Sequence, residues 1–158
     1  MALLFGMEKD TIIPTKNGCV RLSSKHGKNE KKANVAIATY LANKYGYDID
    51  LLPDIQNEVS ADTLNRTLCK LQEYKDNLTA SRNAVDLQLK KAHEQAGSIA
   101  LRIKSDIAIP ILQNAIVARF SLHNNLTDIT LIKNGKDVIL TREQILDSGF
   151  KLTKGDFN

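Results

Sequence analysis

The stretch "SIALRI", residues 98–103, constrains this chain more than any other. Its apolar side chains do not alternate with polar ones, so both faces of the strand must be covered, as in a sheet with helices packed on it. The neighbouring segments supply those helices. "AVDLQLKKAHEQA" reads as a helix with Ala84, Leu87 or Gln88, Lys91 and Gln95 along one side, ended by Gly97. Beyond the strand, Ser105-Asp106 is expected to cap a helix over "IAIPILQNAIVARF", with Pro110 near its first turn. A strand, helix, strand crossover from residue 71 to 103 predicts a parallel pair.

The rest of the chain fits around that core. "TIIP" and "CVRL" read as short strands, and "SSKHGKNEKK" as a basic loop or helix lead-in. Val35, Ala38, Leu41, Ala42 and Tyr45 recur at helical spacing, which predicts a helix from about Asn29 to Tyr45 with Gly46 as its C-terminal cap. In "YDIDLLP", Tyr47, Ile49 and Leu51 alternate with Asp48 and Asp50, the pattern of a strand closed by Pro53. "DIQNEVSA" and "DNLTASRN" read as loops, and residues 60–75 as strand, turn, strand. "ITLIKNGKDVILT" is a hairpin turning at Asn134-Gly135, and Thr141 with Gln144 has the capping-box spacing of a last short helix. The expected fold class is α/β (α+β): a mixed β-sheet flanked by helices, in a single domain over 1–158.

Composition narrows the function classes little. With 42% hydrophobic and 25% charged residues the chain is an ordinary globular protein, and its net charge of +4 permits nucleic-acid binding without demanding it. Cys19 and Cys69 form neither a metal spacing nor a disulfide framework and read as reduced thiols. The opening "MALLFGMEKD" lacks the basic region and cleavage site of a signal peptide, and no run approaches the length of a membrane span. No membrane partner is expected, and the site of action is expected to be cytoplasmic, with delivery by a larger secreted or phage protein left open.

The chemistry-bearing stretch is "SADTLNRTLCKLQEYK". On a strand, Glu73 and Lys75 project from the same face. A hairpin over 61–75 would return Asp62 beside Glu73, although the midpoint between them falls at Thr67-Leu68 while the best turn residues are Asn65-Arg66, so a longer loop or a bulge is required. Two carboxylates can hold a hard cation and leave positions for water and a phosphate oxygen. A metal so held polarises a phosphodiester and acidifies a bound water, and an ammonium beside it stabilises developing negative charge. The same three residues would also suit a solvated hairpin face.

The order helix, strand, Asp-bearing strand, Glu-x-Lys strand, helix, strand resembles the core of the PD-(D/E)xK nuclease superfamily, whose fold is restriction-endonuclease-like. Asp62 matches its metal-binding Asp and Glu73-Tyr74-Lys75 its (D/E)xK, with Ala61 where the family carries Pro. More closely, "LANKYGYDIDLLP", the lone Asp62, "EYK" and "AHEQA" resemble the CdiA C-terminal tRNase-like toxin domains, also found in phage and mobile-element proteins, over about residues 26–150. The resemblance implies a nuclease-like core over 29–150 after a lead-in over 1–28. It implies a metal-dependent nuclease using Mg²⁺ or Mn²⁺, with Asp62 and Glu73 as ligands, Lys75 assisting the attack, and Gln95 orienting Lys75 or a water. It favours tRNA as substrate over DNA and adds an immunity protein as partner in contact-dependent growth inhibition. The family tends to place a Glu on the first helix as a further ligand; here that place holds Asn34 or Ala36, and Glu30, a turn earlier, is the candidate substitute.

Other residues leave alternatives open. Lys25, Lys28, Lys31 and Lys32 can form a nucleic-acid-binding cluster or a solvated helix start, with Arg82, Arg102 and Arg119 as further candidates. His26 can contact phosphate or serve as a general base, against an exposed loop histidine; His93 reads as solvated and His123 as a turn residue. The rivals to a metal-dependent ribonuclease are a phage or mobile-element DNA endonuclease, a metal-free ribonuclease of barnase/colicin type built on His26, and an inactive nucleic-acid-binding or virion-associated domain.

Overall fold

The protein is described by a computed structural model over residues 10–55 and 58–157. Most of the opening run read for a signal peptide, and two residues of the "DIQNEVSA" loop, lie outside the described residues. Eight strands follow one another in sheet order β1 to β8, a mixed sheet accompanied by helices. Two compact units divide the chain, residues 1–72 and 73–158.

In the first unit, β1 (Thr11–Ile13) and β2 (Cys19–Leu22) pair antiparallel. Helix α1 (Lys31–Tyr45) then leads to β3 (Asp48–Leu51), which runs parallel to β2. Helix α1 stops at Gly46, whose φ of +71° is the left-handed cap expected from the sequence. Its buried face is Asn34, Ile37, Ala38, Leu41 and Ala42. The alternation in β3 buries Ile49 and Leu51. Asp48 and Asp50 instead take Arg21 of β2, each at 2.5 Å, and Asp50 also takes Arg66 at 2.5 Å. Next come β4 (Thr63–Asn65) and the start of β5 (Lys70–Asn77), both antiparallel to their predecessors.

The second unit begins within β5 and continues through α2 (Arg82–His93), β6 (Ser98–Ile103), α3 (Ile109–Leu122), β7 (Asp128–Lys133), β8 (Lys136–Thr141), α4 (Arg142–Leu146) and a 3₁₀ turn (Lys154–Phe157). Strand β6 is the doubly covered strand that its sequence implies: Ile99, Ala100 and Leu101 are fully buried. It runs parallel to β7, and β7 turns back into β8 through Asn134 (φ 55°) and Gly135 (φ 71°), both left-handed as a two-residue hairpin requires. The capping box at Thr141 and Gln144 forms on both sides.

Three local expectations are corrected. Helix α2 buries Val85, Leu89 and Ala92, the apolar residues at i, i+4 and i+7, rather than the side running from Ala84 to Gln95, and Ser81 caps it by accepting the Ala84 N–H at 3.1 Å. The "DNLTASRN" loop is shorter than read, since β5 runs on to Asn77. Ser105 does not cap α3: the N-cap is Ala108, with no side-chain bond, and the Ser105 hydroxyl donates to Asn77 Oδ1 instead.

Candidate functional site

The hairpin register aligns Thr63 with Gln72 and Asn65 with Lys70. Its turn covers four residues, 66–69, centred on Thr67-Leu68, which is the longer loop that the expected hairpin required. Asn65 Oδ1 accepts the Leu68 N–H at 3.0 Å, and Cys69 closes the turn with φ 54°. The strand positions beside the turn are buried yet polar. Thr63 donates to the Gln72 carbonyl at 2.7 Å, and the Asn65 amide reaches Gln72 Oε1 at 3.4 Å. Asp62, immediately before β4, is 9% exposed, and its carbonyl accepts the Leu52 N–H at 2.8 Å.

In the second unit, β5 carries Glu73, Lys75 and Asn77 on one face by the two-residue period of a strand. Glu73 is fully buried, and Lys75 Nζ lies 3.1 Å from its Oε2. Withdrawing such a pair from water costs more than most pairs return in Coulomb energy, so its presence argues for a use other than stability. Asn77 is held in turn by Gln88, whose Oε1 accepts the Asn77 amide at 3.2 Å and whose Nε2 donates to the Asp76 carbonyl at 2.6 Å. Asp76, on the alternate face, is clamped by two bonds from Arg102, at 2.7 and 2.6 Å. Gln95 follows the end of α2. Its Oε1 is buried with no hydrogen-bond partner, a state that costs about 1–3 kcal/mol unless a group from outside the chain completes it.

Against the reading of an exposed loop histidine, His26 is buried. Its Nδ1 faces the Leu52 carbonyl at 2.6 Å and its Nε2 the Asn34 amide nitrogen at 3.0 Å. Donation from Nδ1–H to the carbonyl leaves Nε2 as the acceptor, so the amide at position 34 matches the imidazole where a carboxylate would not. Glu30 is the exposed N-cap of α1, with no capping bond from its side chain. Lys25, Lys28, Lys31 and Lys32 are all exposed, with Lys31 and Lys32 in the first turn of α1 beside the N-cap Glu30. Cations there oppose the helix dipole.

Of the further arginine candidates, Arg102 is spent on Asp76 and Arg119 on Asp86, again through two bonds, both at 2.7 Å. His93 and His123 are neither simply solvated nor simply a turn: their rings stack at 3.5 Å. Burial, then the charges of His93 and Arg119, holds the His123 imidazolium below its ordinary range. Cys19 and Cys69 are free thiols.

No group of three or more Asp, Glu, His or Cys side chains that could hold a metal ion occurs among the described residues. A pair of carboxylates remains compatible with Mg²⁺, which keeps several waters and binds through one or two carboxylates plus substrate phosphate. Among the described residues no helix is long and apolar enough to cross a membrane.

No protein-family description matches the chain, and no curated protein does. Among solved structures, a chain of the "CdiA-CT/CdiI toxin and immunity complex from Burkholderia pseudomallei" matches with a TM-score of 0.54 and 15% identity, over 85% of this chain and 96% of that one. The protein therefore shares its fold with a chain of that toxin and immunity complex.

Proposed function

We propose that the protein is a metal-dependent nuclease of the PD-(D/E)xK kind, that it cuts RNA with tRNA as the expected substrate, and that it is the toxin of a toxin–immunity pair. The observation that carries the reading is the fully buried Glu73 with Lys75 at 3.1 Å, on the strand that continues a hairpin in register at Thr63 and Gln72. Asp62 immediately precedes β4, and Glu73 follows Gln72 on β5. The fold shared with a chain of a toxin and immunity complex supports the toxin role and an immunity protein as partner. Delivery by a larger carrier into the cytoplasm of a target cell follows from the same analogy.

In this reading Asp62 and Glu73 hold Mg²⁺ or Mn²⁺, and the bound ion supplies Lewis-acid polarisation of the phosphodiester and a more acidic water. The Lys75 ammonium, already aimed by Glu73, faces the charge that develops on the phosphoryl oxygens. The orphan Gln95 Oε1 accepts from the attacking water or from Lys75 and so fixes its direction. The basic cluster of Lys25, Lys28, Lys31 and Lys32 sits at the N-terminus of α1 against the helix dipole, an arrangement that phosphate contacts would repay. His26, with both ring nitrogens engaged, serves to tie the loop to α1 rather than as a general base.

The test is cleavage of total tRNA and of duplex DNA with Mg²⁺ or Mn²⁺, with and without EDTA, beside Lys75→Ala. Cleavage of tRNA that EDTA stops, falling at least about 100-fold in the variant, is the expected result. EDTA-resistant cleavage, or full activity in Lys75→Ala, would overturn the mechanism. Cleavage of DNA alone would move the substrate to the phage or mobile-element alternative.

A further inference from the structure

The loop after β6 and the turn after β7 leave the sheet at the same end, because the two strands are parallel. Such carboxyl ends are where open α/β sheets form their ligand crevices. Here they border a cleft of about 720 Å³, within the size range of small-ligand sites. Ile107, Ile109, Leu152 and Phe157 form its apolar floor. Lys133, Lys151 and Lys154 stand around it with a single acid, Asp106.

We infer that this cleft is a second nucleic-acid contact, a seat for backbone phosphates beyond the scissile one, with the apolar floor accepting a base or ribose; the inference rests on the nuclease reading. The cations carry it. Arg102 and Arg119 of the same unit are each bound to a carboxylate. Lys151 and Lys154 have no ion pair among the described residues. Lys133 is partly buried, and its Nζ donates to the Ser105 carbonyl at 3.0 Å, which fixes the ammonium in place and leaves two of its three N–H groups to face the cleft. The first turn of α3 offers few donors: Pro110 has no N–H, and the Ile111 N–H is turned onto the Ala108 carbonyl at 3.0 Å. Charge at this end is therefore supplied by side chains drawn from β7 and the C-terminal segment.

The cleft is also tied to the Glu73–Lys75 strand. Lys104 N–H donates to the Asn77 carbonyl at 2.8 Å, Ser105 to Asn77 Oδ1, and Lys133 to Ser105. Two strand spacings, on the order of 10 Å, separate β5 from β7 across the sheet.

The experiment measures binding of total tRNA and of a single-stranded oligonucleotide to the full chain by fluorescence anisotropy in EDTA, across a salt series. Lys133→Gln/Lys151→Gln/Lys154→Gln is compared with a charge-matched control, Lys16→Gln/Lys44→Gln/Lys90→Gln. Lys151→Gln/Lys154→Gln, which keeps the Lys133 tether, replaces the triple variant if its melting shows lost folding. Affinity for the oligonucleotide is expected to fall on the order of tenfold, and the salt slope by about 2, in the cleft variant only. Equal behaviour of cleft and control variants would overturn the cleft while leaving the nuclease reading in place. No binding of either polymer by the unaltered chain would overturn both. Cleft-dependent binding without metal-dependent cleavage would keep the cleft and remove the catalytic reading.

Discussion

Two of the hairpins, β7–β8 and β4–β5, differ in how they turn and in what they bury. β7–β8 turns in two residues, Asn134 and Gly135, and its inner strand buries Ile129, Leu131 and Ile132 together with Asp128 and Thr130. β4–β5 turns in four residues and ends on Cys69 in a left-handed conformation. Its buried positions are Thr63, Asn65 and Gln72, and β5 continues to Glu73, Tyr74 and Asn77. An apolar strand gains stability from burial alone, about 25 cal/mol per Å² of apolar surface. A polar one must satisfy each group and gains little net. The difference separates a strand whose burial stabilises the fold directly from one whose buried charge contributes little net stability, as the proposed role of Glu73 and Lys75 requires.

The largest effect that would test this contrast lies at the ion pair. Lys75→Met leaves the Glu73 charge buried without its ammonium and should cost about 3 kcal/mol in urea unfolding, the lower end of the range since Lys75 keeps some solvent contact. Replacing both, Glu73→Leu with Lys75→Leu, should return most of that loss or exceed the parent stability while abolishing cleavage. A double variant as unstable as the single one would show that Glu73 stabilises the fold, and the contrast would fail. The turns give the next effect, with opposite signs. Gly135→Val forces a β-branched residue to φ 71° and should cost about 1–2 kcal/mol. Cys69→Gly relieves φ 54° and should add about 0.5–1 kcal/mol. Paired thermal melts read both.

The smallest effect sits in the segment leading to β7, where His123 stacks on His93 beside Arg119, while Glu94 and Asp86 pull the other way. Its folded-state pKa lies below the ordinary 6.5, so the unfolded chain binds the proton first. The associated stability is whole above 6.5 and is lost as pH falls through the lower folded value. His123→Gln should flatten that part of the stability profile, and an unchanged slope would remove the stack as its source.

Much of the fold was legible because its signals are local. The left-handed demand at Gly46 and Gly135, the capping box at Thr141, and the uninterrupted burial of "SIALRI" each follow from a few adjacent residues and a backbone rule. The start of α3 was not, because Ser105 has two possible partners. Only the approach of Asn77, far away in sequence, draws its hydroxyl away from the helix. The buried face of α2 lies one position on from the side expected, because Val85, Leu89 and Ala92 form the apolar stripe at i, i+4 and i+7.

The candidate site divides in the same way. That Glu73 and Lys75 share a face follows from strand geometry and was readable directly. The burial of Glu73, the orphaned Gln95 oxygen, the engagement of His26 by Asn34, and the gathering of Lys133, Lys151 and Lys154 around one cleft were not. The sequence by itself determined the elements, their turns and the pairing of side chains two residues apart, since those depend on short-range backbone sterics. Only the tertiary structure decided which polar groups lose water and which cations keep it, since desolvation is set by every neighbour that packing brings up, however distant along the chain.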